Sequence, residues 1–314
     1  MIDRVHSLSE QHKGVLFNIC AHLVWGGMAV YFGFMRHIPS NEIAINRGLW
    51  SLPIATLIIW WLGQWGDVWA ALRNPKHLGI LALTGAIIVF NWGFYVWSIQ
   101  VGRALESSLG YFINPLLNVI VGFLFLGERF TRAQVVAICF AITGVVVQTF
   151  ATGVLPWLGL ALGGSFCLYG LLRKTIPVGP TQGFFVETLV IAVPLLFAEI
   201  WLLQRGTAHF GTNVKDTTML MACGLWTTSA LVFFAASLKR IRYSTAGILQ
   251  YISPTLVFLT AIFMFGEHMN FWKAVSFVLI WIGLAIYSVS ALREDRMKAS
   301  SKPVMQNIDG GQVA

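Results

Sequence analysis

Charged residues are rare inside the long apolar stretches of this chain, and each one needs a partner or a function. Arg47 and Glu187 lie inside two of these stretches, and Glu106 and Arg242 begin two others. Ionisable side chains in apolar spans mark ion pairs, proton relays or solute pathways. We predict an outer pair Arg47–Glu106 and an inner pair Glu187–Arg242 that act as alternating gates. Static helix contacts, and side chains that anchor helices at the interface, remain open alternatives.

A second set of residues could bind a solute, because aromatic rings stack on flat molecules and hold amines. Asn91 stands in the middle of an apolar run, where an amide must find a polar partner and is expected to face inward. For a single tryptophan the alternative is a place in the interfacial belt. His22 is interpreted as a histidine that contacts a neighbouring helix, with a ligand or a proton relay as the alternative. The predicted substrate-binding residues are Trp25, Asn91, Trp92, Tyr95, Tyr111, Asn114, Tyr169, Trp226 and Tyr251.

Two prolines inside apolar stretches predict kinks. Pro115 and Pro254 each remove a helix hydrogen bond. The freed carbonyl groups need partners, because lipid offers none, and Asn114 and Ser253 immediately before the prolines could supply them. Whether the kinks move during function or are fixed bends stays open.

The elements that must position these residues are membrane helices. The 314 residues are 57% hydrophobic and 11% charged, whereas about 25% of a soluble domain is charged. Because a helix needs about 20 apolar residues to cross a bilayer, we predict an all-α integral membrane fold of ten transmembrane helices. The predicted spans are 14–35, 41–62, 77–99, 104–126, 132–150, 156–173, 181–203, 217–238, 243–265 and 271–292.

The two halves of the chain repeat one pattern. Phe-Ile-Asn-Pro at 112–115 and Tyr-Ile-Ser-Pro at 251–254 are each followed by an apolar run and a Gly-Glu pair, which we interpret as a tight turn that ends the helix. One separation relates Pro115 to Pro254, Gly127 to Gly266, and Gly144 to Gly283. Internal duplication predicts two five-helix repeats, 14–150 and 151–292. Since five is odd, the second repeat has inverted topology, which suits alternating access.

The distribution of Lys and Arg predicts the orientation. Most of them fall in loops on one side, together with the polar segments 1–13 and 293–314. The excess of positive charge on one side therefore predicts that both termini are cytoplasmic. The polar composition of 293–314 predicts a disordered tail. The expected location is the inner membrane. The net charge of +8 forms no basic stripe, so nucleic acid is not an expected partner. Cysteines occur only in apolar runs without a CxxC pair, and we predict no metal site and no cofactor.

Several motifs occur in order along the chain: Phe90-Asn-Trp-Gly93, Glu106 to Pro115, Leu126-Gly-Glu-Arg-Phe130, Gly183 to Glu187-Thr188, and Tyr251 to Pro254 with Gly266-Glu267. With these motifs, nearly all of 10–292 resembles the RarD branch of the drug/metabolite transporter superfamily. The resemblance implies ten helices in two EamA-type halves, a cavity between them, and transport of small metabolites, often amino acids and usually outward. One departure is visible, because Asn46-Arg47 stands where that branch typically has a His-Arg pair, so the resemblance supplies no proton carrier there.

The prediction for function is a secondary transporter, working as an exporter of small organic metabolites such as amino acids, amines or drugs by alternating access. Its expected partners are a small-molecule substrate, protons and membrane lipid, and the expected state is a monomer. The alternative within transport is an uncoupled facilitator or a channel. Outside transport it is an intramembrane enzyme or a receptor. No Walker motif and no HExxH motif is present, so neither direct ATP use nor zinc hydrolysis is indicated.

Overall fold

The structure of the protein is a computed structural model that describes residues 9–35, 37–100, 104–153, 157–263 and 271–300. These residues form twelve helices and no strand. In chain order the helices are α1 Glu10–Gly33, α2 Ser40–Leu62, α3 Trp65–Arg73, α4 Pro75–Gln100, α5 Ala104–Leu126, α6 Arg132–Thr152, α7 Trp157–Thr175, α8 Pro180–Gln204, α9 Val214–Leu238, α10 Tyr243–Leu249, α11 Ile252–Phe263 and α12 Phe271–Ser300.

Each predicted span coincides with a helix or, for the ninth, with the pair α10 and α11. Within the described ranges, six helices are long and apolar enough to cross a membrane: α1, α2, α4, α6, α8 and α9. Shorter apolar helical stretches cover Asn114–Leu126 and Ala274–Tyr287. The all-α membrane fold is thereby confirmed.

Two elements differ from the prediction. Helix α3 follows α2 after Gly63, whose positive φ of 64° ends α2, and it buries Val68 and Ala71 while Trp69 is exposed. This spacing of three on one face makes a short amphipathic helix that is too short to span a membrane. At the other end, α12 continues to Ser300, so the disordered tail predicted to begin at residue 293 is helical through residue 300.

The two prolines have different effects on their helices. Pro254 lies in the first turn of α11, after the break between α10 and α11, where its missing N–H removes no helix hydrogen bond. The backbone N–H of Ser253 donates to the carbonyl of Gln250 across this break at 3.3 Å. Pro115 lies within α5, which continues unbroken from Ala104 to Leu126. In the second repeat the helix is therefore interrupted just before its proline, whereas in the first repeat the helix continues through its proline.

Helix packing reflects the repeat. Equivalent helices of the two halves pack on each other in three pairs, α2 with α8, α5 with α10, and α6 with α12. Other contacts between the halves occur in equivalent pairs in which the two repeats exchange roles. The contact of α5 with α7 corresponds to that of α1 with α11, α2 with α9 corresponds to α4 with α8, and α1 with α9 corresponds to α4 with α7. This is the pattern of a pseudo-two-fold axis between two five-helix units.

The repeat glycines serve the α6–α12 pair. A Cβ atom on Gly144 would lie 3.0 Å from the carbonyl oxygen of Ser276, and one on Gly283 would lie 2.7 Å from that of Ala137. Glycine at both positions lets the two backbones approach closely, as in other small-residue helix interfaces. The equal spacing of these glycines in the sequence thus corresponds to equivalent packing roles.

Candidate functional site

Glu187 lies on α8 in a buried group of polar side chains that we call the Glu187 cluster: Thr84, Tyr169, Arg173 and Glu187. Thr84 Oγ1 donates to Glu187 Oε1 at 2.6 Å, and the Tyr169 hydroxyl donates to Oε2 at 3.3 Å. Arg173 Nε is 3.4 Å from Oε1, and the two side chains of this ion pair are 0% and 2% exposed. The predicted pair Glu187–Arg242 is wrong, because Glu187 pairs with Arg173.

Arg173 occupies a space that only glycine leaves open. Its Nη2 donates to the carbonyl of Pro180 at 2.8 Å. A Cβ atom on Gly183 would lie 1.8 Å from Nη1. Gly183 and Glu187 are one helical turn apart, so the same face of α8 both accommodates the guanidinium and neutralises it. The predicted span 156–173 ends at Arg173, whereas α7 continues to Thr175 and keeps Arg173 inside the fold.

Arg242 has a different carboxylate partner, Glu128. The Arg242 Nε is 3.8 Å from Glu128 Oε2, and Arg242 also donates to the carbonyl of Arg129. Glu128 accepts from the backbone N–H of Tyr243 at 2.5 Å and of Ser244 at 3.0 Å. The carboxylate from the first repeat therefore caps the N-terminus of α10 in the second. Glu128 directly follows Gly127, whose φ of 64° marks the turn at the end of α5. The Gly-Glu pair was interpreted only as a turn, and the structure adds the capping role of Glu128.

Lysines cap helix ends at the same end of the bundle, which we call the lysine end. Lys174 Nζ donates to the carbonyls of Leu238 at 2.9 Å and Ile241 at 2.6 Å. Lys239 Nζ donates in return to the carbonyls of Lys174 and Ile176. Burial, together with the positive charges of Arg173 and Lys174, lowers the pKa of Lys239 to about 8. The ammonium group at the end of each helix, α7 or α9, thus donates hydrogen bonds to carbonyl groups at the end of the other.

A contact between the repeats completes the lysine end. Arg240 Nε is 2.9 Å from Glu10 Oε2, which links the start of α1 to the loop after α9. Glu10 also lies 2.8 Å from Lys13. The side chain of Glu10 is mostly exposed, so water screens this pair.

Histidine–carboxylate contacts join the repeats at the opposite end, which we call the histidine end. His37 Nε2 is 2.9 Å from Asp216 Oδ1. His209 Nδ1 is 2.9 Å from Glu42 Oε2, and the backbone N–H of His209 donates to Glu42 Oε1 at 2.6 Å. Asn46, noted above for its place beside Arg47, donates to Glu199 on α8 at 3.1 Å. The sequence interpretation missed Glu42, since it stands in the first turn of a span like an ordinary helix-start carboxylate.

Arg47 lies against two aromatic rings between four helices. Its guanidinium carbon is 5.0 Å from the ring centroid of Trp92 and 5.5 Å from that of Phe32. Its Nε donates to Thr227 Oγ1 at 3.2 Å. The structure thus brings together Arg47 and Trp92, which the sequence placed in two different roles. The predicted partner Glu106 lies outside the described side chains, so the outer pair stays a prediction.

Aromatic rings from α1, α7 and α9 contact one another in a group that we call the aromatic cluster: His22, Trp25, Phe166 and Phe234. The ring centroid of Trp25 is 5.7 Å from that of Phe166 and 5.5 Å from that of Phe234. The Phe166 and Phe234 centroids are also 5.5 Å apart. Trp25 on α1 and Phe166 on α7 lie on equivalent helices. Trp25 was predicted from the sequence, whereas no sequence signal distinguished Phe166 and Phe234 among the 23 phenylalanines.

Asn91 is buried and faces the protein, as expected for an amide in the middle of a span. Its Nδ2 donates to the carbonyl of Leu162 and to Ser165 Oγ, both at 2.9 Å. These bonds connect α4 to α7 one turn from Phe166. Asn91 therefore positions the helix that carries part of the aromatic cluster.

The other predicted substrate-binding residues are spread over the fold. Asn114 is buried and Trp226 is half-buried. Tyr251 is buried in a hydrophobic cluster with residues such as Leu116, and Tyr111 is exposed. Tyr95 lies outside the described side chains. Solute contact by these residues stays a prediction.

Comparisons with known proteins agree with this architecture. The model of the EamA-like transporter family matches residues 12–150 and 155–289, one match in each repeat. The chain belongs to the EamA-like transporter family. Family membership confirms the resemblance drawn from the motifs and makes the protein a multi-pass membrane transporter of the drug/metabolite superfamily.

Relatives match over almost their whole length. The chain is 39% identical to Protein RarD of Salmonella typhi, covering 92% of this chain and 99% of that protein. It is 38% identical to Protein RarD of Escherichia coli, covering 91% and 97%. An uncharacterized transporter of Pseudomonas aeruginosa is 40% identical, with 90% and 96% covered. A protein crystal structure aligns with a TM-score of 0.69 at 18% identity, covering 90% of this chain and 98% of that one, so it shares the fold.

Proposed function

We propose that this protein is a secondary transporter of the inner membrane that exports small organic solutes by alternating access. The observation that carries the proposal is that polar contacts cross between the repeats at both ends of the bundle. Glu128 with Tyr243 joins them at the lysine end, and Glu42 with His209 joins them at the histidine end. A carrier needs one closure at each end, because only one end is open at a time.

The proposed orientation of the protein in the membrane follows from the distribution of positively charged residues. The lysine end carries Lys174, Lys239, Arg240 and Arg242, whereas the described contacts of the histidine end involve histidines and carboxylates. Positive residues favour the cytoplasmic side of a membrane protein. We therefore assign the lysine end and both termini to the cytoplasm, and the histidine end to the outside.

We propose that the solute moves along the interface between the two repeats, from one end of the bundle to the other. The aromatic cluster and the Arg47–Trp92 contact line this region, and rings with a nearby cation suit amino acids, amines and flat drugs. One relative, 29% identical and covering 91% of this chain and 97% of its own length, is named Chloramphenicol-sensitive protein RarD. That name describes the relative, and it supports drug-like molecules as solutes to test here.

Proton coupling is proposed to run through Glu187. Its carboxylate lies at the repeat interface, where Thr84 of the first repeat and Arg173 of the second both contact it. Taking up a proton would weaken the ion pair with Arg173 and so loosen the contact between α7 and α8. A facilitator that needs no proton is the alternative, since an ion pair can also hold helices without titrating.

The test is solute counterflow in proteoliposomes, after a thermal-shift screen has identified a solute, because a ligand that binds the folded state raises its melting temperature. A carrier accelerates uptake of labelled solute when unlabelled solute is inside the vesicle. A channel shows no such acceleration, and that result would refute alternating access. Flux with and without a pH gradient, in the wild type and in Glu187→Gln, then separates a proton antiporter from a facilitator. Asp67→Asn, in the short helix α3, serves as the matched carboxylate control.

A further inference from the structure

Two buried carboxylates near the histidine end have contrasting surroundings. Glu42 on α2 is 1% exposed, and Glu199 on α8 is 5% exposed. Glu42 accepts hydrogen bonds from the backbone N–H groups of His209 and Phe210 at 2.6 and 2.8 Å, and its Oε2 is 2.9 Å from His209 Nδ1. Three donors, one of them a histidine ring, therefore stabilise a negative charge on Glu42.

Glu199 lacks such support. Its Oε2 accepts one hydrogen bond, from Asn46 Nδ2 at 3.1 Å. Its Oε1 is buried and has no hydrogen-bond partner among the described residues. A buried polar atom is normally paired with protein, water or ligand, so this oxygen requires an explanation.

No basic side chain among the described residues forms an ion pair with Glu199. Lys215, at the start of α9, is exposed to solvent. The other charged side chains described around this end of α8 contact different groups. These contacts are His209 with Glu42, His37 with Asp216, Arg205 with the ring of Trp201, and Arg47 with Thr227 and the ring of Trp92.

The amide of Asn46 is oriented by a backbone carbonyl. Its Nδ2 also donates to the carbonyl oxygen of Glu42 at 3.1 Å. Since a carbonyl oxygen can only accept, the Asn46 atom that faces both oxygens must be the amide nitrogen. Glu199 Oε2 is therefore an acceptor, and a proton on this carboxyl group belongs on Oε1.

A negative charge on Glu199 would be poorly stabilised. A buried carboxylate without a basic partner is costly and takes up a proton instead. Glu42 is close enough for its charge to act on Glu199, and two neighbouring carboxylates resist being ionised together. Carboxylates in contrasting surroundings, one ionised and one protonated, are a recurrent arrangement at proton-transfer sites.

We propose that Glu199 is a proton-binding site, protonated while the histidine end is closed and ionised when that end opens. Helices α2 and α8 pack on each other, and Glu42 of α2 takes part in the closure, so opening would bring water to the Glu199 carboxylate. Because linkage is reciprocal, a proton that binds more tightly to the closed end also favours closure.

The proposal rests on the alternating access inferred above and deepens it. It adds to Glu187 a second proton site, at the end assigned to the outside, where an exporter driven by protons would take them up. An ionised Glu199 that binds water through Oε1 is the competing assignment.

Infrared spectroscopy of the purified full chain detects the proton on Glu199. A protonated carboxyl group has a C=O stretching band that an ionised carboxylate lacks. At about pH 7, Glu199→Gln should remove such a band from the wild-type spectrum, whereas Glu42→Gln should not, because Glu42 is ionised. If Glu199→Gln removes no such band, Glu199 is ionised and the proposal is overturned.

Unfolding by SDS in mixed micelles gives an independent result. Glutamine has the shape of a protonated glutamate, so Glu199→Gln should change the unfolding constant by less than about threefold. Glu187→Gln should raise it by about a hundredfold or more, because it leaves the charge of Arg173 buried alone. A Glu199→Gln chain that is destabilised as much as Glu187→Gln, or that does not fold, would contradict a neutral Glu199.

Spin labels measure the link to closure. Phe34→Cys and Lys215→Cys, in a background without the four native cysteines, place labels at exposed positions of the two repeats at the histidine end. Raising the pH from about 6 to about 9 should lengthen the distance between the labels, and Glu199→Gln should reduce this lengthening. Equal lengthening in both proteins would mean that other groups, such as His37 and His209, respond to pH, and would refute the link to Glu199.

The failure of this site and the failure of the transport function give different results. The infrared band and the unfolding constant require neither solute nor flux, so a protonated Glu199 without counterflow would refute transport and keep the proton site. Counterflow by a protein whose Glu199 is ionised would keep transport and refute the site.

Discussion

Removing the Arg173 guanidinium is expected to destabilise the protein strongly, because it leaves Glu187 charged and buried. The two side chains are 0% and 2% exposed, with Nε and Oε1 3.4 Å apart. Breaking a buried ion pair by removing one partner costs about 3–5 kcal/mol. In Arg173→Met, Glu187 keeps its hydrogen bond from Thr84 at 2.6 Å, which favours the lower part of that range. Glu187→Gln leaves the buried Arg173 cation with the neutral carbonyl of Pro180 as a hydrogen-bond acceptor, and should cost a similar amount.

The double variant distinguishes the ion pair from simple packing. In Arg173→Met/Glu187→Gln neither charge is left alone, so its loss should be at least about 2 kcal/mol smaller than the sum of the two single losses. Unfolding by SDS in mixed micelles measures all three free energies. Asp67 is exposed, and its carboxylate accepts a hydrogen bond from Gln182 at 3.1 Å. Asp67→Asn should therefore change stability by less than about 0.5 kcal/mol. Additive losses in the double variant would refute the buried pair as the organising contact of this cluster.

Three further predictions concern neighbouring features. Gly183→Ala should lower stability by about 1–3 kcal/mol in the same unfolding assay, because its Cβ atom would lie 1.8 Å from Arg173 Nη1. Gly27→Ala is the control and should not lower stability in this way, because a Cβ atom there would meet nothing within 4 Å. Glu128→Gln should cost about 1–2 kcal/mol through the weakened cap of α10; a loss no larger than that of Asp67→Asn would contradict the cap. The pKa of Lys239 is about 8 in the folded protein and about 10.4 in an unfolded chain. The unfolded chain then binds more protons between these values, so stability should rise with pH from 8 to 10. Lys239→Gln should lack this rise, and identical pH profiles would contradict the lowered pKa.

Lipid imposes the features of this fold that could be predicted from sequence. A backbone in hydrocarbon must satisfy its own hydrogen bonds, so apolar runs of sufficient length predict helices, and all ten spans have helical counterparts. Repetition of Pro115 at Pro254 and of Gly144 at Gly283 predicted the two halves. The same reasoning missed α3, because nine residues with polar neighbours do not resemble a span.

Partner choice is where the sequence interpretation failed. Glu187 was identified as a functional charge, but depth along the helices favoured Arg242, and the structure pairs it with Arg173 instead. The cause is a short extension of α7 and the absence of a side chain at Gly183, which together leave room for a guanidinium. Such a space depends on the relative position of two helices, which no local pattern encodes.

By itself, the sequence determined the membrane environment, the positions of the apolar spans, the duplication and the family, because these depend on composition and order along the chain. Only the tertiary structure decided which side chains meet. His22 and Ser253 are 231 positions apart, yet Nδ1 of one lies 3.0 Å from Oγ of the other. Contacts of this kind arise from helix packing, where distances across the bundle, and not along the chain, select the partner.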